Sequence, residues 1–236
     1  LDLILILRHV LNREPFENPY QIIASDASAD DRVSALDLSQ IRQLIIGNIE
    51  SLQAISPWLF LDASDIFFDV ENPWPFKDDI DISNLLNDQM NEDFIGVKIG
   101  DVNQSYQGAE SRSDEILSLK TSDVTMVSGQ TTKVAISANE LTDLMGYQFS
   151  LSHKGLRFKG VESGLMEIND QNLGVHEDVL AMSWNQAIPV STMTSDVLFT
   201  IEFEAQSELR LSEALILNSS VTKAEAYIAQ HGDFEV

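Results

Sequence analysis

Oxygen-bearing side chains stand at positions 1, 3, 5, 9 and 12 of the run Asp26-Ala-Ser-Ala-Asp-Asp-Arg-Val-Ser-Ala-Leu-Asp37. A hard cation such as calcium takes six to eight oxygens from a loop that folds around it, one of them a backbone carbonyl at position 7. That spacing assigns Asp26, Ser28, Asp30, the Arg32 carbonyl, Ser34 and Asp37 as ligands. Val33, at position 8, is apolar, as a loop pinned to a core requires. Three positions depart from the strongest pattern of this kind. Ser28 is a neutral ligand where Asp or Asn is usual. Asp31 stands where Gly is usual and must enter the left-handed region at some cost. Asp37 is shorter than the usual Glu. The same residues also read as an Asp-rich turn leading into a capped helix that needs no metal.

Other chemistry is poorly represented. The chain has no cysteine, so disulfides, thiolate metal sites and cysteine nucleophiles are excluded together. Gly-x-Ser-x-Gly, His-Glu-x-x-His, P-loop and dinucleotide fingerprints are all absent. His9, His153, His176 and His231 are scattered without ligand spacing. Acid pairs such as Asp78-Asp79 could serve a glycosidase, but among 38 acidic residues such pairs mark a solvated acidic face. A chain without catalytic activity is expected. The formal charge of −24 repels a phosphate backbone and an anionic membrane surface, so nucleic acid is not an expected partner. No apolar run reaches the roughly 18 residues of a membrane-spanning helix, so membrane insertion is not expected either.

The loop must be held by helices. Leu38, Ile41, Leu44 and Ile45 recur at helical spacing, Ser34-Ala-Leu-Asp37 has the form of a capping box, and Gly47 stands where a left-handed C′ residue belongs. Leu1-Asp2-Leu3 echoes Leu36-Asp37-Leu38 at an offset of 35 residues, and Arg8 and Arg42 follow in turn. A duplicated loop–helix unit explains the echo. Asp2 is then the last ligand of the first loop, whose site is expected to be incomplete because Leu1 begins inside the motif. Asp101 and Asn103 resemble the start of another such loop, but Tyr106 and Gly108 do not continue it, and a turn is expected there.

Residues 52–103 are irregular, acidic and aromatic. Trp58, Phe60, Phe67, Phe68, Trp74, Phe76 and Phe94 are seven of the chain's 18 aromatics. They are expected to fill a small core, with a sugar platform or partner surface as the alternative. The polar stretch Gln104–Ser113 reads as a boundary. Beyond it the pattern turns β, with runs at Ile116–Thr121, Thr131–Ser137, Tyr147–Ser152, Arg157–Val161, Val179–Trp184 and Val197–Ala205. In the last, Phe199, Ile201 and Phe203 alternate with Thr200, Glu202 and Glu204. Six or more short antiparallel strands predict a β-sandwich.

Paired loops ending in Asp, each opening a helix of the type Asp-Leu-…-Ile-Arg-…-Leu-Ile-Ile-Gly47, resemble type I dockerin repeats. The segments Trp58-Leu-Phe-Leu-Asp62, Asn72-Pro-Trp-Pro-Phe76 and Asp93-Phe-Ile-Gly-Val-Lys-Ile-Gly-Asp-Val-Asn103 resemble the extension after dockerin-like repeats in secreted Bacteroidetes surface proteins of the type IX secretion class. Gly146-Tyr-Gln-Phe-Ser-Leu151, Leu156-Arg-Phe158, Leu180-Ala-Met-Ser-Trp-Asn185, Val197-Leu-Phe199 and Ala224-Glu-Ala-Tyr227 resemble a cohesin-like sandwich. The resemblance implies an α+β multidomain chain. Its parts would be a dockerin-like, EF-hand-type helical unit over 1–51, an aromatic extension packed on it over 52–110, and an all-β cohesin-like sandwich of jelly-roll or immunoglobulin-like type over 111–236. It further implies Ca2+ as cofactor, an extracellular or cell-surface location, and a protein partner through cohesin–dockerin contact or head-to-tail self-association. A carbohydrate-binding accessory module of a larger secreted enzyme, with a polysaccharide as partner, is the alternative.

Overall fold

The computed structural model describes residues 1–90, 92–107, 116–229 and 234–235. Most of the boundary stretch Gln104–Ser113 lies outside the described residues. Contacts divide the chain into two compact units, one of Asp2–Ile41 with Ser51–Ala109, the other of Leu1, Arg42–Glu50 and Glu110–Val236.

The first unit is built on short helices. α1 spans Asp2–Val10 and α2 Pro19–Ser25, while α3, Ala35–Ile45, begins in this unit and ends in the other. α2 lies between the two echoed helices. Pro19 at its first position costs no hydrogen bond, and Asn18 caps it by accepting from the Tyr20 amide at 2.9 Å. Two five-residue strands, β1 (Trp58–Asp62) and β2 (Phe94–Lys98), pair antiparallel with Phe60 opposite Gly96. Leu3, Ile4, Ile6, Ile22, Ile23, Leu38, Ile41, Leu61 and Val97 are buried. The aromatic cluster of 58–94 does not form one core: Phe68 is 99% exposed, Phe60 57% and Phe94 46%. Prolines 57, 73 and 75 keep this stretch out of helices, so no periodic face gathers its rings.

The second unit is a sandwich of two antiparallel sheets. One has the order β3 (Leu119–Lys120), β5 (Thr131–Ala138), β10 (Val197–Ala205), β7 (Leu156–Ser163). The other runs β14 (Phe234–Glu235), β13 (Glu225–Ala229), β6 (Leu141–His153), β9 (Val179–Thr192), β8 (Leu173–Val175), with β12 (Leu215–Asn218) also on β6. A small pair, β4 (Thr125–Met126) with β11 (Leu209–Arg210), and a short helix α4 (Leu211–Ala214) complete it. The alternation in β10 does what its pattern predicts, with Phe199, Ile201 and Phe203 fully buried. They meet Tyr147, Phe149, Met182 and Trp184 of the opposing sheet in one core. β6 and β9 outrun the expected strands because β6–β9 register shifts between Leu141 and Gly146 let pairing continue past Gly146. β3 is shorter than the expected Ile116–Thr121.

The segment Arg42–Glu50 is held in this second unit by named bonds. Arg42 Nη2 donates to Asn185 Oδ1 at 2.6 Å, His176 Nε2 to the Ile46 carbonyl at 3.0 Å, and Asn48 Nδ2 to the Leu173 carbonyl at 3.1 Å. Gly174 is required here, since a Cβ on it would lie 2.1 Å from the Ile46 oxygen. Gly47 (φ 74°) ends α3 as expected, with its amide bonded to Leu44 and that of Asn48 to Gln43. Asn12 (φ 52°) closes α1 the same way through His9 and Arg8. The 35-residue echo therefore reaches the C-terminal ends of both helices.

Candidate metal centre

The 26–37 loop is organised by its two buried carboxylates. Asp26 Oδ1 accepts from the Asp30 amide (3.2 Å) and the Ser28 hydroxyl (3.4 Å), and Oδ2 from the Asp31 amide (3.0 Å). Asp37 Oδ1 accepts from the Ser28 amide (2.9 Å), and Oδ2 from the amide and hydroxyl of Ser34 (2.8 and 3.1 Å). Ser34 Oγ in turn accepts from the Leu36 amide at 3.1 Å, so Ser34 and Asp37 together cap the start of α3. Ala29 (φ 55°) and Asp31 (φ 62°) both take left-handed backbone, which turns the chain tightly enough for these bonds.

Asp26, Asp30 and Asp37 each bring a carboxylate oxygen within 4.8 Å of the others. Asp26 and Asp37 are buried, and burial, more than the neighbouring charges, pushes the Asp26 carboxyl above its usual range. Asp30 is held below that range, chiefly by its bond from Arg32 Nε to Oδ2 at 2.8 Å. Its other oxygen, Oδ1, is shut off from solvent and meets no donor in hydrogen-bonding geometry among the described residues. The predicted ligands Asp26, Ser28, Asp30, Ser34 and Asp37 thus converge on one small loop. Arg32 contributes a guanidinium that faces Asp30. The donor set is all oxygen, with three carboxylates and two hydroxyls, and it fits a hard cation.

Asp2 does not stand alone, and residues 101–106 are more than a turn. Asp101 Oδ1 accepts from the Ser105 amide (2.9 Å) and hydroxyl (3.3 Å), and Oδ2 from the Tyr106 amide (3.1 Å). Asp2 Oδ1 accepts from the amides of Val102 (2.9 Å) and Asn103 (3.3 Å). Asp101 thereby plays the part of Asp26 and Asp2 that of Asp37, while Gln104 (φ 58°) repeats Ala29. Burial raises the Asp2 carboxyl, and the charge of Asp101 adds to the rise. The signal for this arrangement was the spacing Asp101-x-Asn103-x-Ser105, the same as Asp26-x-Ser28-x-Asp30. Tyr106 and Gly108 do not continue the loop pattern, and the closing carboxylate, Asp2, stands 99 residues away.

No family model and no curated protein matches the chain. Among solved structures it is similar to a type I cohesin–dockerin complex from Clostridium thermocellum, at 15% identity over 40% of this chain and 75% of that one, with a TM-score of 0.33. The second type II cohesin module of the ScaA scaffoldin of Acetivibrio cellulolyticus aligns at 14% identity over 49% and 81%, TM-score 0.37. A non-cellulosomal cohesin from Archaeoglobus fulgidus aligns at 13% over 45% and 83%, TM-score 0.27. At these scores the sandwich rests on the strand order described above.

Proposed function

We propose that this chain is a calcium-stabilised, non-catalytic assembly module of a secreted or cell-surface protein, acting through contact with another protein. The observation that carries the calcium reading is the 26–37 loop. Three carboxylates crowd within 4.8 Å, and one oxygen of the partly exposed Asp30 is shut off from solvent without a donor among the described residues. Such a group is costly when empty and is relieved by a divalent cation. Asp26, Asp30 and Asp37 would supply the charge, Ser28 and Ser34 neutral oxygens, and Arg32 its carbonyl. The reading extends to Asp2, which with Asp101, Asn103 and Ser105 repeats the bonds of the 26–37 loop. Bound calcium would supply folding energy and rigidity, with no reaction to perform. The carboxylates of Asp26 and Asp37 are spent on backbone amides, which suits a structural role. A protein partner, either a cohesin- or dockerin-type module or a second copy, follows from the family resemblance of both halves.

Calorimetric titration of the metal-stripped chain with calcium tests the first part. Uptake with a rise in melting temperature is expected, and Asp26→Ala should lose both. Absence of heat and of stabilisation would overturn the assignment. Light scattering with and without calcium tests self-association, which a strictly monomeric species at high concentration would exclude.

A further inference from the structure

The β1–β2 ribbon carries its aromatic side chains on the wrong face for a core. Strand alternation and the register, Trp58↔Lys98, Phe60↔Gly96 and Asp62↔Phe94, put Trp58, Phe60, Phe94, Gly96 and Lys98 on one side. The other side carries Leu59, Leu61, Ile95 and Val97, of which Leu61 and Val97 are buried. Phe60 and Phe94 are 57% and 46% exposed, so the ribbon is apolar on both faces. The outer rings are also ordered. The Trp58 and Phe60 planes lie within 15° of parallel with centroids 6.4 Å apart, and Tyr106 braces Trp58 edge-on at 5.0 Å. Gly96 lets both rings lie over the backbone: a Cβ there would sit in ordinary van der Waals contact with Trp58 and Phe60, at 3.5 and 3.6 Å.

We propose that this outer face is a binding strip for a neutral polysaccharide, with sugar rings stacked on Trp58 and Phe60. A pyranose presents a flat C–H face that suits an aromatic ring, and a rim of hydroxyls that needs polar groups at the edges. Lys98 stands at one end of the strip and Asp62 at the other, one charge of each sign. Lys98 Nζ also lies 6.0 Å above the Tyr106 ring. Two strands of five residues span roughly 17 Å by 10 Å, about 170 Å². That is far short of the roughly 800 Å² per partner of a stable protein interface, whereas a single linear chain needs no more. The net charge of −24 selects against uronic or sulfated glycans and leaves uncharged ones. The strip adjoins the 101–106 loop, whose Asp101 lies 4.0 Å from Lys98 Nζ and accepts from the Tyr106 amide, but its reading rests on the exposed rings and not on bound metal.

The test is affinity electrophoresis of the whole chain in gels containing hydroxyethylcellulose, xyloglucan or amylose, with polygalacturonate as the anionic control. Retardation by at least one neutral polymer and none by polygalacturonate is expected. Phe60→Ala and Trp58→Ala should each weaken binding tenfold or more, and Gly96→Leu should weaken it as well by displacing both rings. Phe68→Ala, which removes the most exposed ring outside the strip, should leave binding unchanged. Circular dichroism and melting of Phe60→Ala should match the parent, since its ring is mostly in water. No retardation by any neutral polymer would overturn the proposal, as would equal retardation by polygalacturonate or full binding by both ring variants.

Discussion

Replacing Asp37 separates a metal loop from a merely capped turn, because the two predict opposite dependences on calcium. Asp37 is fully buried and takes hydrogen bonds from the amides of Ser28 and Ser34 and from the Ser34 hydroxyl. In Asp37→Ala two amides lose a charged acceptor, at roughly 1.5–3 kcal/mol each, or about 3–6 kcal/mol together. Against this stands relief of repulsion. Asp26 and Asp37 oxygens within 4.8 Å of one another repel by about 3 kcal/mol at an effective dielectric of about 20. Without metal the two effects partly offset, and a net loss of about 0–3 kcal/mol is expected. With calcium bound the repulsion is already cancelled, so the loss returns to its full size, and the substitution also removes a ligand. A site filled to about a hundred times its dissociation constant would forfeit roughly a further 2.7 kcal/mol. Asp37→Asn keeps one acceptor and should fall between. Amide hydrogen exchange at Ser28 and Ser34, in calcium and in chelator, reads the loop directly. A cost for Asp37→Ala that is the same in both conditions would refute the metal argument and leave the capped turn.

The other expectations concern packing and titration. Gly174→Ala should cost about 2–4 kcal/mol by driving a methyl into the Ile46 carbonyl, while Gly160→Ala, with nothing within 4 Å, should stay within about 0.5 kcal/mol in thermal melts. The Tyr147 hydroxyl is buried without a hydrogen-bond partner among the described residues, and burial pushes its ionisation well upward. Tyr147→Phe should therefore be neutral or stabilising by up to about 1 kcal/mol, and a clear loss of stability would mean the hydroxyl is bonded. Burial lowers the His9 pKa, against a smaller opposing pull from Glu71, and neutral Nδ1 accepts from the Phe16 amide at 3.0 Å. The folded state thus binds its proton less readily than the unfolded state. The His9 contribution is full above the ordinary histidine range and is lost as pH falls through it, so melting temperature should drop less between pH 7.5 and 5.5 in His9→Gln than in the parent.

Local order was legible in the residues themselves. The Ser34–Asp37 box, the left-handed Gly47 and the alternation of Val197–Ala205 follow from interactions between residues a few positions apart, and the chain can meet those needs wherever it is placed. The left-handed Asp31 was likewise readable from its place in the loop spacing. Pairing across long separations was not legible. Asp2 closes the Asp101–Tyr106 loop from 99 residues away, a partnership no period in the sequence encodes. Aromatics that looked like core turned outward on β1–β2, because alternation says which residues share a face but not which face meets the interior. Gly174 carried no sign of its role, since the need for a missing Cβ arises only where the Ile46 carbonyl arrives. Residue types and spacing determined the candidate ligands and the strands, while tertiary structure decided what closes the second loop, which rings meet solvent and where backbones touch, because those depend on distance in space and not along the chain.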